Sequence, residues 1–313
     1  MQSEAMRRSG ADDTAGDDAE RSDEEEWRMT EALKLGYIGL GNMGAPMATK
    51  MTEWPGGVTV FDIRTDAMTP LAEKGARLAD SVADVAAADI IHITVLNDAQ
   101  VREVVGELAA HAEPGTVIAI HSTISDTTAV DLARDLKERG IHIVDAPVSG
   151  GAAAAAKGEL ATMVGADREV YERIKPAFKH WAAVVIHAGE PGAGTRMKLA
   201  RNMLTFTSYA AACEAMKLAE AAGLDLQALG RVVRHTDALT GGPGAIMVRE
   251  DMKDLEPDNF LYQPFLHTRG LGEKDLSLAL ALGESVSVDL PLAQLAYERL
   301  AAGLGVPHTK KEA

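Results

Sequence analysis

Three glycines have the spacing that points most clearly to a chemical function. They form a G-x-G-x-x-G sequence, Gly39, Gly41 and Gly44. They follow a short apolar segment that is typical of a strand and open a segment with helical spacing. In that context the first glycine allows a tight turn, the second lets the backbone approach a pyrophosphate, and the third permits close helix–strand packing. N–H groups at the helix start would face the anion. A plain strand–helix turn is the alternative. The predicted cofactor contacts of this turn are Gly39, Leu40, Gly41, Asn42, Met43 and Gly44.

An acidic residue follows the second predicted strand, about 20 residues after the glycine turn. A carboxylate at this place, Asp62, accepts hydrogen bonds from the adenosine ribose hydroxyls and repels a 2′-phosphate, which favours NAD over NADP. Arg64, two residues further on, weakens that preference because an arginine accommodates the 2′-phosphate. We therefore predict NAD, with NADP possible. A solvated acid at a strand end is the alternative for Asp62.

Two later segments contain groups suited to a small acid. Ser149, Gly150 and Gly151 follow a predicted strand, so backbone N–H groups beside a hydroxyl would suit a substrate carboxylate. Lys198 and Asn202 are four residues apart on a predicted helix and share one face, where they could hold a substrate hydroxyl together. A lysine shielded from water can act there as general acid or base. Taken alone, Lys198 is more typical of a solvated helix charge.

Strand and helix patterns alternate from Leu33 to about His187, which is typical of a parallel sheet with helices on both faces. Helical patterns alone follow, including an unbroken one from Thr195 to about Ala222. The fold class predicted is an α/β Rossmann-type doubly wound sheet followed by an all-α C-terminal domain. We predict a dinucleotide-binding domain over residues 33–192 and a helical substrate and oligomerisation domain over residues 193–313. The predicted strands are Lys34–Gly39, Val58–Asp62, Ile90–Leu96, Thr116–Ile120, Ile141–Val148, Ala161–Val164 and Ala183–His187.

Charge and composition exclude several classes of protein. A net charge of −16 argues against binding to nucleic acid or to an anionic membrane surface, and no apolar stretch is long enough to span a bilayer. The single cysteine, Cys213, indicates a reducing, cytoplasmic setting, and we predict no metal site. Residues 1–32 hold −7 of the net charge without apolar periodicity, so we predict a disordered acidic tail.

The ordered combination of motifs resembles the β-hydroxyacid dehydrogenase family, whose members include 3-hydroxyisobutyrate dehydrogenases. The resemblance runs from about Leu33 to Ala302. Its motifs are Gly39–Gly44, Leu96-Asn97, Ser122-Thr123, Asp145–Gly151, Gly192–Asn202 and Lys274-Asp275.

The resemblance implies roles for individual residues. Lys198 matches the catalytic lysine and Asn202 its partner in positioning substrate, and Ser149, Gly150 and Gly151 match the carboxylate site. The positions that touch the nicotinamide half are matched by Leu96, Asn97 and Thr123. Lys274 matches a lysine that closes over cofactor and substrate; without the resemblance, a helix charge paired with Asp275 would be preferred. Members of this family commonly form dimers and tetramers, so the resemblance also implies a homodimer or homotetramer.

Two positions depart from the family pattern. His121 stands where many relatives have a small or amide residue, and Asn97 where many have proline. Neither departure removes a catalytic group. The predicted function is NAD-dependent hydride transfer to or from a small 3-hydroxy acid. An NADPH-linked reductase of a semialdehyde (tartronate semialdehyde-type) or of glyoxylate is the alternative, and a non-catalytic dinucleotide-binding module is a more distant one.

Overall fold

A computed structural model describes residues 33–309. The segment 1–32, for which we predicted a disordered acidic tail, lies outside the described residues, as do residues 310–313. The chain divides into two compact units, with the division between Ala200 and Arg201. The domain limits predicted at residues 192 and 193 stay a prediction.

The first unit contains one mixed sheet. Its strands are β1 Leu35–Ile38, β2 Val58–Phe61, β3 Arg77–Leu78, β4 Ile90–Ile93, β5 Val117–Ile120, β6 His142–Asp145, β7 Val148–Ser149, β8 Leu160–Gly165 and β9 Ala182–Gly189. They are ordered β3-β2-β1-β4-β5-β6-β8-β7, and β9 pairs with β8. The six strands from β3 to β6 in this order are parallel, as predicted. β8 is antiparallel to both β6 and β7, so the sheet, predicted to be parallel, is mixed at this end.

Helices follow most of the strands. Those of the first unit are α1 Gly44–Met51, α2 Thr65–Ala72, α3 Val82–Val85, α4 Asp98–His111, α5 Asp126–Leu136, α6 Gly151–Lys157 and α7 Arg168–Lys179. Helix α8, Ala193–Ala221, begins in the first unit and continues into the second. The remaining helices are α9 Leu226–Thr240, α10 Tyr262–Ser285 and α11 Pro291–Leu304.

Apolar side chains cover both faces of the central strands. In β5, Ile118 and Ile120 pack into a cluster that includes α4 and α5, whereas Val117 and Ala119 face a second cluster that includes α1 and α7. All four side chains are fully buried. This two-sided burial is expected where helices cover both faces of a parallel sheet. It makes the central strands rigid supports for the loops at their ends.

The second unit has little core of its own. Its cluster of buried apolar residues consists of Phe265, Leu304 and Val306, with partly buried side chains around it. The N–H groups of Leu292 and Ala293 at the start of α11 donate to the carboxylate of Glu214 on α8, at 2.9–3.1 Å. That carboxylate therefore caps α11 and ties it to α8.

Candidate active site

The carboxyl ends of four central strands lie at the same edge of the sheet. Register pairs Ile38 at the end of β1 with Ile93 at the end of β4, Ile93 with Ile120, and Ile120 with Asp145. The segments that follow these strands therefore begin side by side. This edge is where open α/β sheets bind ligands.

The glycine turn has the backbone geometry that its sequence predicts. Gly39 has a φ of +92°, and a Cβ there would lie 2.1 Å from the carbonyl oxygen of Thr94. A Cβ on Gly44 would lie 1.9 Å from the carbonyl oxygen of Gly39. Packing within the protein thus requires these two glycines.

The middle glycine is different, because a Cβ on Gly41 would have no protein atom within 4 Å. Gly41 and Asn42 are exposed, and no side chain caps the start of α1 or places an acidic group in its first turn. No acidic side chain in the first turn of α1 therefore opposes the approach of a pyrophosphate to the backbone here. The residues present fit a dinucleotide cofactor.

Asp62 is buried beside this turn. Its Oδ2 accepts a hydrogen bond from the N–H of Leu40 at 2.6 Å, and its Oδ1 accepts one from the N–H of Arg64 at 2.8 Å. The Arg64 guanidinium lies 3.4 Å from the same Oδ1 and is more than half exposed. The solvated strand-end acid considered for Asp62 is wrong, since only 8% of this residue is exposed. One carboxylate thus shapes the glycine turn and restrains the nearby arginine.

The loops after β4 and β5 are joined by Ser122. Its Oγ accepts from the N–H of Val95 at 2.9 Å and donates to the carbonyl oxygen of Val95 at 2.7 Å. The neighbouring Leu96 and Thr123 are exposed, and Leu96 has 87% of its surface accessible. Strand β4 ends at Ile93 rather than at Leu96, so Leu96 belongs to this loop. The side chain of Asn97 caps α4 by accepting from the N–H of Gln100 at 3.0 Å. Leu96 thus provides an exposed apolar side chain after β4, the strand that neighbours β1 and its glycine turn.

Lys198 is buried rather than solvated. Only 8% of its surface is exposed, and its Nζ donates to the carbonyl oxygen of Val148 at 2.6 Å. Val148 immediately precedes Ser149, and Gly150 and Gly151 adopt φ angles of +133° and +75°. The side-chain nitrogen of Lys198 is therefore anchored at the base of the turn predicted to hold a carboxylate. The structure brings these two predicted elements together.

Asp145 positions this lysine by holding the start of its helix, which was not predicted from the sequence. The buried Oδ1 accepts from the N–H of Gly192 and Oδ2 from the N–H of Thr195, both at 2.6 Å. Burial raises the pKa of Asp145, while these two N–H donors oppose the rise. Thr195 precedes Lys198 by almost one helical turn, so the carboxylate fixes the start of α8. The sequence signal for Asp145 was an acidic residue at the end of an otherwise apolar strand.

Two other predicted residues lie in the second unit. Asn202 is partly buried on α8, and its Oδ1 accepts from Arg201 at 3.3 Å. Lys274 is in the middle of α10 and forms an ion pair with Asp275 at 3.0 Å, which is the alternative noted from the sequence. It also lines a cavity of about 560 Å³ that includes Tyr297. The roles of both residues stay predictions.

Residues 33–309 contain no group of three or more His, Cys, Asp or Glu side chains arranged to hold a metal ion. In the same part of the chain, no helix combines the length and apolar character needed to cross a membrane.

Comparison with known proteins identifies the family. Residues 34–189 match the NAD-binding domain of 6-phosphogluconate dehydrogenase, and residues 192–311 match the NAD-binding domain of NADP-dependent 3-hydroxyisobutyrate dehydrogenase. A 3-hydroxyisobutyrate dehydrogenase from Pseudomonas aeruginosa is 33% identical over 269 residues, covering 84% of this chain and 89% of the relative. The chain belongs to the β-hydroxyacid dehydrogenase family.

Two closer relatives agree with that assignment. An oxidoreductase of Mycobacterium tuberculosis is 70% identical over 285 residues, covering 90% of this chain and 97% of the relative. The crystal structure of an oxidoreductase from Mycobacterium avium 104 is 93% identical, with a TM-score of 0.87, and covers 88% of this chain and 100% of that chain. As a member of the β-hydroxyacid dehydrogenase family, the chain is an NAD(P)-dependent oxidoreductase that acts on a hydroxy acid.

Proposed function

We propose that this β-hydroxyacid dehydrogenase transfers hydride between NAD and a small 3-hydroxy acid similar to 3-hydroxyisobutyrate, with Lys198 as general acid and base. The observation that carries the proposal is the buried contact between Lys198 Nζ and the carbonyl oxygen of Val148 at 2.6 Å. This contact puts a proton-transferring amine next to the turn of Ser149, Gly150 and Gly151. A 3-hydroxy acid has a carboxylate and a hydroxyl group to match those two features.

Each residue of the site has a separate role in the proposed reaction. Ser149 Oγ and the N–H groups of the glycine pair bind the substrate carboxylate, while Lys198 Nζ meets the hydroxyl, with Asn202 as its proposed partner. The nicotinamide, when bound, accepts or supplies the hydride at the substrate carbon. During oxidation Lys198 Nζ takes the hydroxyl proton as the carbonyl forms, and during reduction it returns that proton. Asp145 keeps the amine in place by fixing the start of α8.

Cofactor contacts follow the predicted pattern in this proposal. The residues from Gly39 to Gly44 bind the pyrophosphate, and Asp62 binds the adenosine ribose. Leu96, Asn97 and Thr123 border the nicotinamide half, and Lys274 closes over cofactor and substrate. We also propose a cytoplasmic location, where NAD(H) is supplied.

Substitution of Lys198 tests the proposal directly. General acid–base catalysis contributes about 10²–10⁴-fold, so Lys198→Ala should lower kcat by roughly that factor. NADH binding, followed by its fluorescence, should change little. Lys217→Ala is the matched control, because Lys217 is an exposed lysine on the same helix. Near-wild-type turnover by Lys198→Ala, measured across a panel of 3-hydroxy acids, would exclude the assigned role.

One observation favours a second candidate, an NADPH-linked reductase of a semialdehyde or of glyoxylate. The Arg64 guanidinium is more than half exposed beside the ribose position, where it is available to a 2′-phosphate. Initial rates with NAD and NADP side by side distinguish the candidates. A large preference for NADP would support the second.

The surface of the second unit supports a homodimer or homotetramer. Met203, Phe206 and Tyr209 on α8 each expose more than 60% of their surface, and Leu239 on α9 exposes 74%. None of the described residues of α9 is buried. Exposed apolar surface on this scale is typical of a protein–protein interface. We propose that further copies of the chain cover these helices.

A further inference from the structure

Two buried histidines connect the centre of the sheet to the turn beside Lys198. His92 lies on β4, and His121 follows the last residue of β5. His92 Nδ1 and His121 Nε2 are 2.8 Å apart, and His121 Nδ1 is 2.7 Å from the carbonyl oxygen of Ala146. At most 3% of either residue is exposed. The pair forms a hydrogen-bonded chain that ends on the turn after β6.

The acceptor at the end of this chain determines which ring nitrogens hold protons. A carbonyl oxygen only accepts, so His121 Nδ1 must hold the proton that it donates to Ala146. A neutral imidazole has one N–H, which leaves His121 Nε2 as an acceptor and requires His92 Nδ1 to donate. Both histidines are therefore Nδ1–H tautomers.

The surroundings keep both rings neutral. Burial lowers the pKa of His121 to about 4, while burial and then repulsion from His121 put the pKa of His92 well below its ordinary value. Tyr37 is the titratable side chain stacked beside the pair, and burial raises its pKa. No carboxylate among the described residues hydrogen-bonds to either ring.

Aromatic packing holds the ring planes in place. The rings of His92 and His121 are nearly coplanar, with centroids 5.1 Å apart across their hydrogen bond, and the ring of Tyr37 lies nearly parallel to that of His92 at 5.8 Å. Trp181 meets His121 edge-on at 5.1 Å, and Phe178 lies 5.4 Å from His92. A ring flip would require these neighbours to move. The donor at His121 Nδ1 is therefore fixed in direction as well as in protonation state.

We propose that His121 is a positioning residue of the active site. Its Nδ1–H donor fixes the turn from Ala146 to Gly151, while His92 donates a hydrogen bond to the other ring nitrogen of His121. Val148 in this turn supplies the carbonyl acceptor of Lys198, and Ser149 follows it. Thr162 Oγ1 also donates to the carbonyl oxygen of Ala146 at 3.1 Å, so His121 provides the shorter of two contacts. The functional part of this inference rests on the role proposed above for Lys198 and Ser149.

The tautomers can be measured without substrate. In protein labelled with ¹⁵N-histidine, the His92 and His121 resonances should each show the proton on Nδ1 near neutral pH. A scalar coupling across the N–H···N hydrogen bond should connect the two rings. Assignment of the resonances uses single His→Asn variants. A proton on Nε2 of His121, or a cationic ring near neutral pH, would overturn the assignment.

Substitutions of His121 test positioning during turnover. His121→Asn keeps a donor near the Nδ1 position, whereas His121→Leu removes it at similar bulk. Because small displacements of positioned groups cost up to about 10²-fold, His121→Leu should lower kcat/KM for the hydroxy acid about ten- to hundredfold. The KM for the cofactor should change less than about twofold, and His121→Asn should recover most of the loss. His142→Leu and His142→Asn, on β6, are matched controls expected to resemble the wild type.

Hydrogen exchange keeps this inference separate from the proposed function. Amide exchange over residues 146–151, followed by mass spectrometry, should be faster in His121→Leu and close to wild type in His121→Asn. If the wild type turns over no hydroxy acid, the proposed function fails, but the exchange rates still decide whether His121 fixes the turn. Equal rates and equal kcat/KM in the Leu and Asn variants would overturn the positioning role. If His121→Leu does not fold, His92→Phe is the second variant: it retains the stacked aromatic ring, removes the N–H donor, and should increase the exchange by a smaller factor.

Discussion

At the scale of single residues, Asp62 has a structural role and, in the proposed function, also a selective one. Its two oxygens accept from the backbone N–H groups of Leu40 and Arg64, so the carboxylate helps to shape the glycine turn. The same carboxylate restrains the Arg64 guanidinium at 3.4 Å. In the proposed function, the choice of cofactor depends on the balance between an acid that repels a 2′-phosphate and an arginine that attracts one.

That balance predicts the effect of Asp62→Asn. Removing the negative charge should lower kcat/KM with NAD about ten- to hundredfold, because a hydrogen bond to a charged group contributes about 1.5–3 kcal/mol. Turnover with NADP should rise, since Arg64 is released towards the 2′-phosphate. Initial rates at varied cofactor concentration measure both changes. Asp62→Asn combined with Arg64→Met should lose the gain with NADP, and an unchanged NADP/NAD ratio in Asp62→Asn would contradict this account.

The sequence was enough to predict which residues are candidates for the site. It was not enough to predict how deeply these residues are buried or which groups they contact. The glycine turn was predictable because its spacing reflects local backbone requirements. The burial of Lys198 was not, because its acceptor, Val148, is 50 residues away in the chain. The contacts of His121 were not predictable either, because its partners His92 and Ala146 are 29 and 25 residues away in the chain. Contacts across strands determine those surroundings.

At the scale of elements, Asp98 joins the starts of α4 and α5. Its Oδ1 accepts from the N–H of Ser125 at 3.0 Å and from the hydroxyl of Thr128 at 2.5 Å. The pKa of Asp98 is lowered, and the main cause is the hydrogen bond from Thr128. A carboxyl with a lowered pKa in the folded state stabilises the fold above its unfolded pKa, and that contribution is lost as the pH falls through the folded value.

We therefore expect Asp98→Asn to destabilise the protein by about 1 kcal/mol near neutral pH, where the charged hydrogen bonds are present. The difference from wild type should shrink as the pH falls from about 4 towards the lower folded-state pKa. Urea unfolding midpoints at neutral and acidic pH measure this change. Asp135→Asn, at an exposed ion pair on α5, should shift stability by less than about 0.5 kcal/mol. A pH-independent effect of Asp98→Asn would show that its ionisation is not the cause.

The elements themselves were predictable to different degrees. The central strands were found because buried strands form short apolar runs between turn residues. The reversed direction of β8 was missed, since it depends on how the two-residue β7 and the short α6 redirect the chain. Helix α7 was also missed, although its buried Val170, Ile174 and Phe178 have helical spacing. That signal was present in the sequence.

At the scale of the whole molecule, the exposed apolar face of α8 predicts how assembly affects stability. In an isolated chain, an exposed side chain such as Phe206 contributes little, so Phe206→Glu should change stability by less than about 0.5 kcal/mol. In a homo-oligomer the same side chain is an apolar contact, and such residues contribute about 2 kcal/mol or more when they are central. We expect Phe206→Glu to dissociate the assembly, as measured by light scattering, and to lower the melting temperature. Leu78→Glu, a similarly exposed site on β3, should leave assembly intact. An unchanged molar mass and melting temperature in Phe206→Glu would mean that this face of α8 does not contribute to an interface.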